Sequence, residues 1–204
     1  MRSSEIYFLN SALDDAEIPF IPTPPAHEMS MLMIDAVKNS LIQKGLLKNE
    51  AEFTNEGVRQ TRLLQNYKSA IKHIQINNLS IGILSEIEAV IVAYNPVLKD
   101  YSIKLVDCTN IVDQIIESIP FLSIEDNRKE EDLHDTSTLE VQEKYMLNPW
   151  NHLRITVWQE SAIDDELFFW HEGRYYRYDC TAGSLHKESK QFIVDCLSER
   201  TALA

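Results

Sequence analysis

The chain has 204 residues, 44% of them hydrophobic, with 32 acidic against 19 basic residues and a formal net charge of −13. That length can bury a sizeable core without disulfide or metal staples, and that charge repels phosphate backbones and anionic bilayers at long range, which sets nucleic acid and membrane aside as main partners. No run approaches the roughly 18 apolar residues of a spanning helix, Met1-Arg2-Ser3-Ser4-Glu5 does not open a signal peptide, and three scattered cysteines read as reduced thiols, so a cytosolic protein is expected.

Residues 4–15 suit a short helix with Ile6, Leu9 and Leu13 on one face. Pro19, Pro22, Pro24 and Pro25 then forbid helix and favour an extended segment anchored by Ile18, Phe20 and Ile21. A helix is expected from about His27 to Lys44, with Leu32, Met33, Ala36, Val37, Ser40 and Leu41 recurring at helical spacing and Gly45 ending it in a left-handed cap. Thr54 is placed to cap a second helix, 55–71, whose apolar face is Leu63, Leu64, Tyr67 and Ile71.

From Lys72 the pattern turns to β. Ile74 and Ile76 alternate with polar residues, 87–94 is a β-branched run closed by Asn95-Pro96, and Tyr101, Ile103 and Leu105 alternate again. Thr109 is expected to cap a helix carrying Ile111, Val112, Ile115, Ile116 and Ile119, closed by Pro120. The acidic segment 123–136 reads as a loop or linker, and a helix is expected near 137–147. Strands follow at 152–159, 166–171 and 174–180, with a turn at Glu172-Gly173. A last helix is expected at 184–198.

Asp107-Cys108-Thr109 and Asp179-Cys180-Thr181 each end a strand, and each is expected to start a helix. This suggests a single domain, 1–204, built from two pseudo-repeated halves, about 27–120 and 137–204, joined by the acidic loop. The expected class is α+β: an antiparallel sheet from two meander-plus-helix halves, flanked by helices.

Catalytic motifs are missing. Neither Asp-Cys-Thr tripeptide has a histidine beside it to form thiolate, so those cysteines read as buried core. The six histidines show no HxxxH, HExxH or HxH spacing, and the acidic clusters lack the glycine-bearing loop of a calcium site. No cofactor or metal is expected, and the chain reads as non-enzymatic. Met29, Met31 and Met33 read as packing filler, with an adaptable binding groove as the alternative. The aromatic residues of the second half outnumber what one buried sheet face can hold. Trp158, Phe169, Trp170, Tyr175, Tyr176 and Tyr178 are therefore the candidate partner-binding residues, with at least two expected to be substantially exposed.

The helix ending Leu41-Ile42-Gln43-Lys44-Gly45-Leu46-Leu47, then Gly57-Val58-Arg59, a meander, and the helix after Asp107-Cys108-Thr109 together resemble the EspG-like proteins of type VII (ESX) secretion systems and their Firmicute relatives. The resemblance implies a cytosolic chaperone or adaptor that keeps a helical secretion substrate soluble, with no catalytic residues. Two alternatives stand beside it. The helix–turn–helix–hairpin order with Arg59, Arg62, Lys68 and Lys72 fits a winged-helix DNA reader, and the acidic surface fits an immunity or antitoxin protein.

Overall fold

The computed structural model describes residues 1–124, 152–159, 162–171 and 173–202. The acidic segment from Glu125 onward, the expected helix near 137–147 and Glu172 of the expected turn lie outside the described residues. The protein is α+β with antiparallel strand pairing. It divides into two compact units, one made of Met1–Ile71 with Asn78–Val106 and the other of Lys72–Asn77 with Asp107–Ala204.

In the first unit, helix α1 (Ser3–Ser11) buries Ile6 and Leu9. The proline-rich segment that follows is pinned by Ile18 and Ile21, both buried, and by the Tyr67 hydroxyl, which donates to the carbonyl of Pro19 at 2.7 Å. Helix α2 (Met31–Gln43) starts later than its apolar pattern suggested: Ser30 accepts the Met33 N–H and caps it, after a separate 3-10 turn at Ala26–Glu28. It ends as expected. Gly45 takes φ +70°, the Leu46 N–H reaches the Leu41 carbonyl and the Gly45 N–H reaches that of Ile42, the two bonds of a Schellman cap.

Two short strands, β1 (Leu47–Asn49) and β2 (Glu52–Phe53), then form a small ladder that the sequence pattern did not reveal. Thr54 caps α3 (Asn55–Lys68) by accepting the Gly57 N–H at 3.0 Å. Leu63, Leu64 and Tyr67 form its buried face, whereas Ile71 lies past its end and is exposed. Strands β4 (Leu79–Ile83), β5 (Glu88–Asn95) and β6 (Asp100–Asp107) lie in that order in space. Val90, Val92 and Ile103 meet α1 and α3 in one cluster.

In the second unit the strand order is β10 (Ser184–Glu188), β9 (Arg174–Asp179), β8 (Ala162–His171), β7 (His152–Gln159) and β3 (Lys72–Ile76). Register pairs Ile155 with Ile76 and Glu166, and Tyr176 with Phe169 and Lys187. Helix α4 (Ile111–Ser118) runs into a 3-10 turn, Pro120–Ser123, and packs on α5 (Lys190–Thr201). Asn110, not Thr109, flanks the start of α4. The Thr109 hydroxyl and N–H are instead both given to the Asp107 carboxylate.

The second Asp-Cys-Thr does not lead into a helix. Asp179 accepts the N–H groups of Thr181 and Ala182 at 2.8 Å, and Gly183 at φ +67° completes a turn into β10. The expected helical stretch 184–188 is thus a strand paired with β9, and only from Ser189, which caps α5 through the Phe192 N–H, is the chain helical. The shared tripeptide makes the same side-chain turn twice, but the elements after it differ. Cys108 and Cys180 lie just past strand ends and are half-buried; Cys196, on α5, is the buried one.

Candidate functional site

The alternation expected on the aromatic hairpin is present. Leu167, Phe169, Tyr176 and Tyr178 share one face and form a buried cluster, with Phe169 and Tyr176 stacked at 5.5 Å. Phe168, Trp170 and Tyr175 share the other. There Phe192 of α5 lies 6.5 Å from Phe168, and Trp170 meets Tyr175 edge-on at 4.7 Å. The Tyr175 hydroxyl donates to the carbonyls of Ile124 (2.6 Å) and Phe121 (3.1 Å).

This overturns the expected exposure. Phe169, Tyr175, Tyr176 and Tyr178 are buried, and Trp158 and Trp170 are half-buried. The expectation of exposed rings assumes one core face for the β8–β9 meander. Both of its faces are buried: α5 and the turn after α4 cover Phe168 and Tyr175 on one, and Leu167, Phe169, Tyr176 and Tyr178 are buried on the other. Six rings on two buried faces are not a surplus.

The same sheet carries a charged network where α5 crosses it. Glu166, nearly buried, accepts from Arg177 (2.9 Å) and Arg200 (2.7 Å); Arg200 also reaches Asp164, and Arg177 reaches Glu188. The Arg177 guanidinium lies over the Phe192 ring at 5.3 Å. Here every cation has its carboxylate, so the network clamps α5 to the strands. On the opposite face Arg154 makes a two-point contact with Asp165. Burial opposes ionisation of Asp165, but the Arg154 hydrogen bonds outweigh it and hold the carboxyl below its usual range.

Burial, then neighbouring carboxylates, push the thiols of Cys180 and Cys196 up to about 11, so both stay protonated near neutrality. Among the described residues no three His, Cys, Asp or Glu side chains come together as a metal site. No helix among them is long and apolar enough to cross a membrane. Three of the four cations that a DNA-reading α3 would use have partners within the chain: Lys68 on Asn10 and Asp14, Arg59 on Glu56, Lys72 on the Ala202 carbonyl.

Among the described residues an exposed apolar surface lies elsewhere, at the start of α2, with a second exposed pair at Val97 and Leu98. Met31 and Leu32 are 81% and 82% exposed and Met33 is 42% exposed, while Met29, two residues earlier, is buried. The reading of these methionines as packing filler holds for Met29 alone. Helical geometry gives the reason. The face that α2 buries runs through Ile34, Val37 and Leu41, spaced three and four residues apart, which turns Leu32, Met33 and Ala36 outward.

The elements that hold this surface are rigidly set. Glu5 of α1, 1% exposed, accepts from the Ser40 hydroxyl (2.7 Å), from Lys44 through both oxygens, and from the Arg2 N–H. Burial disfavours its charge, yet these donors outweigh burial and keep its carboxyl below the ordinary 4.5. An ionic clamp on buried Glu5 thus ties α1 to the last turn of α2, where the Schellman cap also ends the helix, and Ser30 caps the other end.

The family model described as a domain of unknown function, DUF5081, matches residues 1–199. The chain belongs to this family. No curated protein and no solved structure matches it. The DUF5081 match spans both compact units, so Met31, Leu32 and Met33 of the first and the Glu166 network of the second fall within one family domain.

Proposed function

We propose that this DUF5081 protein is a non-enzymatic, cytosolic adaptor or chaperone that holds a helical secretion substrate of a type VII system through the start of α2. The observation that carries the reading is the contiguous exposure of Met31, Leu32 and Met33 on a helix turn whose own fold leaves them unused. Unbranched, polarizable methionine side chains adapt to varied partner surfaces, and an apolar centre amid charged residues is the layout of a protein interface. The acidic balance of the chain and its element order, which resembles the EspG-like proteins, support the same reading.

The test is co-expression with the products of neighbouring genes, followed by pull-down. The double variant Met31→Ser/Leu32→Ser is expected to lose the partner, at about 1–3 kcal/mol for each anchor removed, while melting as the unaltered protein does. Unchanged capture by the variant, or purification of the native protein free of any such partner, rejects the reading.

A further inference from the structure

Helix α2 has a face that its own unit does not cover. With about 3.6 residues per turn, Leu32, Asp35, Ala36 and Asn39 centre on the side opposite the buried stripe of Ile34, Val37 and Leu41, and all four are exposed. Leu32 and Ala36, one turn apart, form a ridge of the kind that packs into the groove of another helix, and the small side chain of Ala36 lets a second backbone come close. Met31 and Met33 flank this ridge, one on each side.

The rim of the face is acidic. Asp35 follows Met31 by one turn and Leu32 by three residues, which makes it a surface neighbour of both. Its carboxylate has no hydrogen bond or ion pair among the described residues. Glu28, in the turn before the helix, is exposed and meets the His27 ring at 4.0 Å. The first cation along α2, Lys38, is already drawn to Glu50 at 3.9 Å. An apolar centre is thus edged by two carboxylates that no lysine or arginine of the described residues neutralises.

We propose that this face docks a basic amphipathic helix of a protein partner, whose apolar stripe covers Leu32, Ala36 and the two methionines and whose lysines or arginines meet Asp35 and Glu28. The proposal rests on the docking reading of Met31 and Leu32 and deepens it by fixing the charge of the partner. A helix suits the face because it satisfies its own peptide groups. The α2 backbone is likewise used within its own helix and offers no strand edge to an extended segment. The apolar contact holds the pair together, and the charges select it: the field of a chain with a net charge of −13 speeds the approach of a basic segment and slows that of an acidic one. A second copy of the chain fits worse, because it brings the same unneutralised carboxylates to the same apolar centre, where like charges repel.

The probe is a fluorescein-labelled peptide of about eighteen residues, long enough for a helix, with leucine on one helical face and lysine on the other. It is titrated with the full chain and read by anisotropy at physiological ionic strength, where distant charges are screened. The control peptide carries glutamate in place of every lysine. The basic peptide is expected to bind saturably and about tenfold tighter than the acidic one. Leu32→Ser is expected to weaken it about tenfold, and Asp35→Lys about fivefold. Glu117→Lys, the same change of charge at an exposed position of α4 in the other unit, is expected to stay within about twofold of the native chain. Leu32 and Asp35 are both exposed, so neither change reaches the core. Absence of saturable binding, equal affinity for the acidic peptide, or a loss with Glu117→Lys as large as with Asp35→Lys overturns the proposal. So does a sedimenting dimer that Leu32→Ser converts to monomer, because the occupant is then a second copy. Equal binding of both peptides, with the pull-down partner still lost by Met31→Ser/Leu32→Ser, rejects the basic helix and leaves the docking reading standing.

Discussion

Replacing Gly57 by alanine should destabilise the protein, although helix propensity alone says the opposite. Gly57 lies in the first turn of α3, where alanine is preferred over glycine by about 1 kcal/mol. The site forbids the methyl group. A Cβ built there would lie 1.9 Å from the Leu46 carbonyl oxygen, 2.9 Å from its carbon and 3.0 Å from a ring atom of Phe53. The first two are backbone atoms, so no side chain can swing aside, and the start of α3 must retreat by roughly an ångström, on the scale of misplacements that are felt in packed interiors. The same Leu46 carbonyl accepts the Thr54 N–H at 3.0 Å, and the Thr54 hydroxyl donates to Gly45 at 2.6 Å, so retreat also loosens the cap. Overpacking of this kind costs about 1–3 kcal/mol and a lost cap about 1 kcal/mol; set against the propensity gain, the net loss is about 2 kcal/mol. Denaturant melts followed by circular dichroism measure it. The control is Gly45→Asn: nothing lies within 4 Å of a Cβ there, and asparagine tolerates the positive φ, so that variant should stay close to the native midpoint. A Gly57→Ala protein as stable as the native chain, or more so, would refute the close-approach argument.

Glu5→Gln should cost about 1.5–3 kcal/mol at pH 7, because charged hydrogen bonds from Lys44 and Ser40 are weakened at a buried site. The folded-state pKa of Glu5 is lowered, so its contribution is present above the ordinary value of 4.5 and disappears as pH falls through the folded value. The stability gap between Glu5→Gln and the native chain, measured by urea melts from pH 7 to 3, should therefore close at the acid end; a gap independent of pH would disprove the ionic origin of the clamp. Tyr176→Phe should be neutral or stabilising by up to about 1 kcal/mol in the same assay, since the Tyr176 hydroxyl is buried with no hydrogen-bond partner among the described residues. A clear loss of stability there would show that the hydroxyl is satisfied.

Local chemistry was the part of the structure most legible from sequence. Ends with a side-chain or glycine signature were placed well: Gly45 after α2, Thr54 before α3, and the strand at His152–Gln159. Elements without such a signature were missed. β1 and β2 are three and two residues long, too short for any periodicity, and Ser80 and Gly82 break the apolar run of β4. At Asp179-Cys180-Thr181 the tripeptide specified its turn but not what came next. Asp107 and Asp179 both accept the N–H two residues on; the route then diverges because Gly183 at positive φ sends the chain back along β9, whereas Asn110 leads into α4. A turn motif fixes four residues, and the element after it depends on what is available to pair with.

The candidate surface shows the same limit from another side. Period-two alternation sorted Phe168 and Trp170 from Phe169 correctly, but alternation assigns residues to faces without saying which faces are covered. Coverage comes from distant chain: α5, more than fifteen residues on, places Phe192 near Phe168, and the turn after α4 offers the Phe121 and Ile124 carbonyls to Tyr175. Aromatic rings with a polar tip are well suited to such double burial, since the tip can be satisfied at the margin of the core. At α2 the balance is the opposite. Six apolar residues, Met31 to Val37 without Asp35, surround the helix almost completely, more than its packing against α1 and Leu46 can cover, and Ile34, Val37 and Leu41 already use the inward stripe. Met31 and Leu32, and part of Met33, are left exposing apolar area to water at a cost of about 25 cal/mol per Å². A surplus of this kind on a helix held rigid at both ends is where a partner gains most for the least ordering, which is why variants at Met31 and Leu32, and not at the aromatic hairpin, should separate binding from stability.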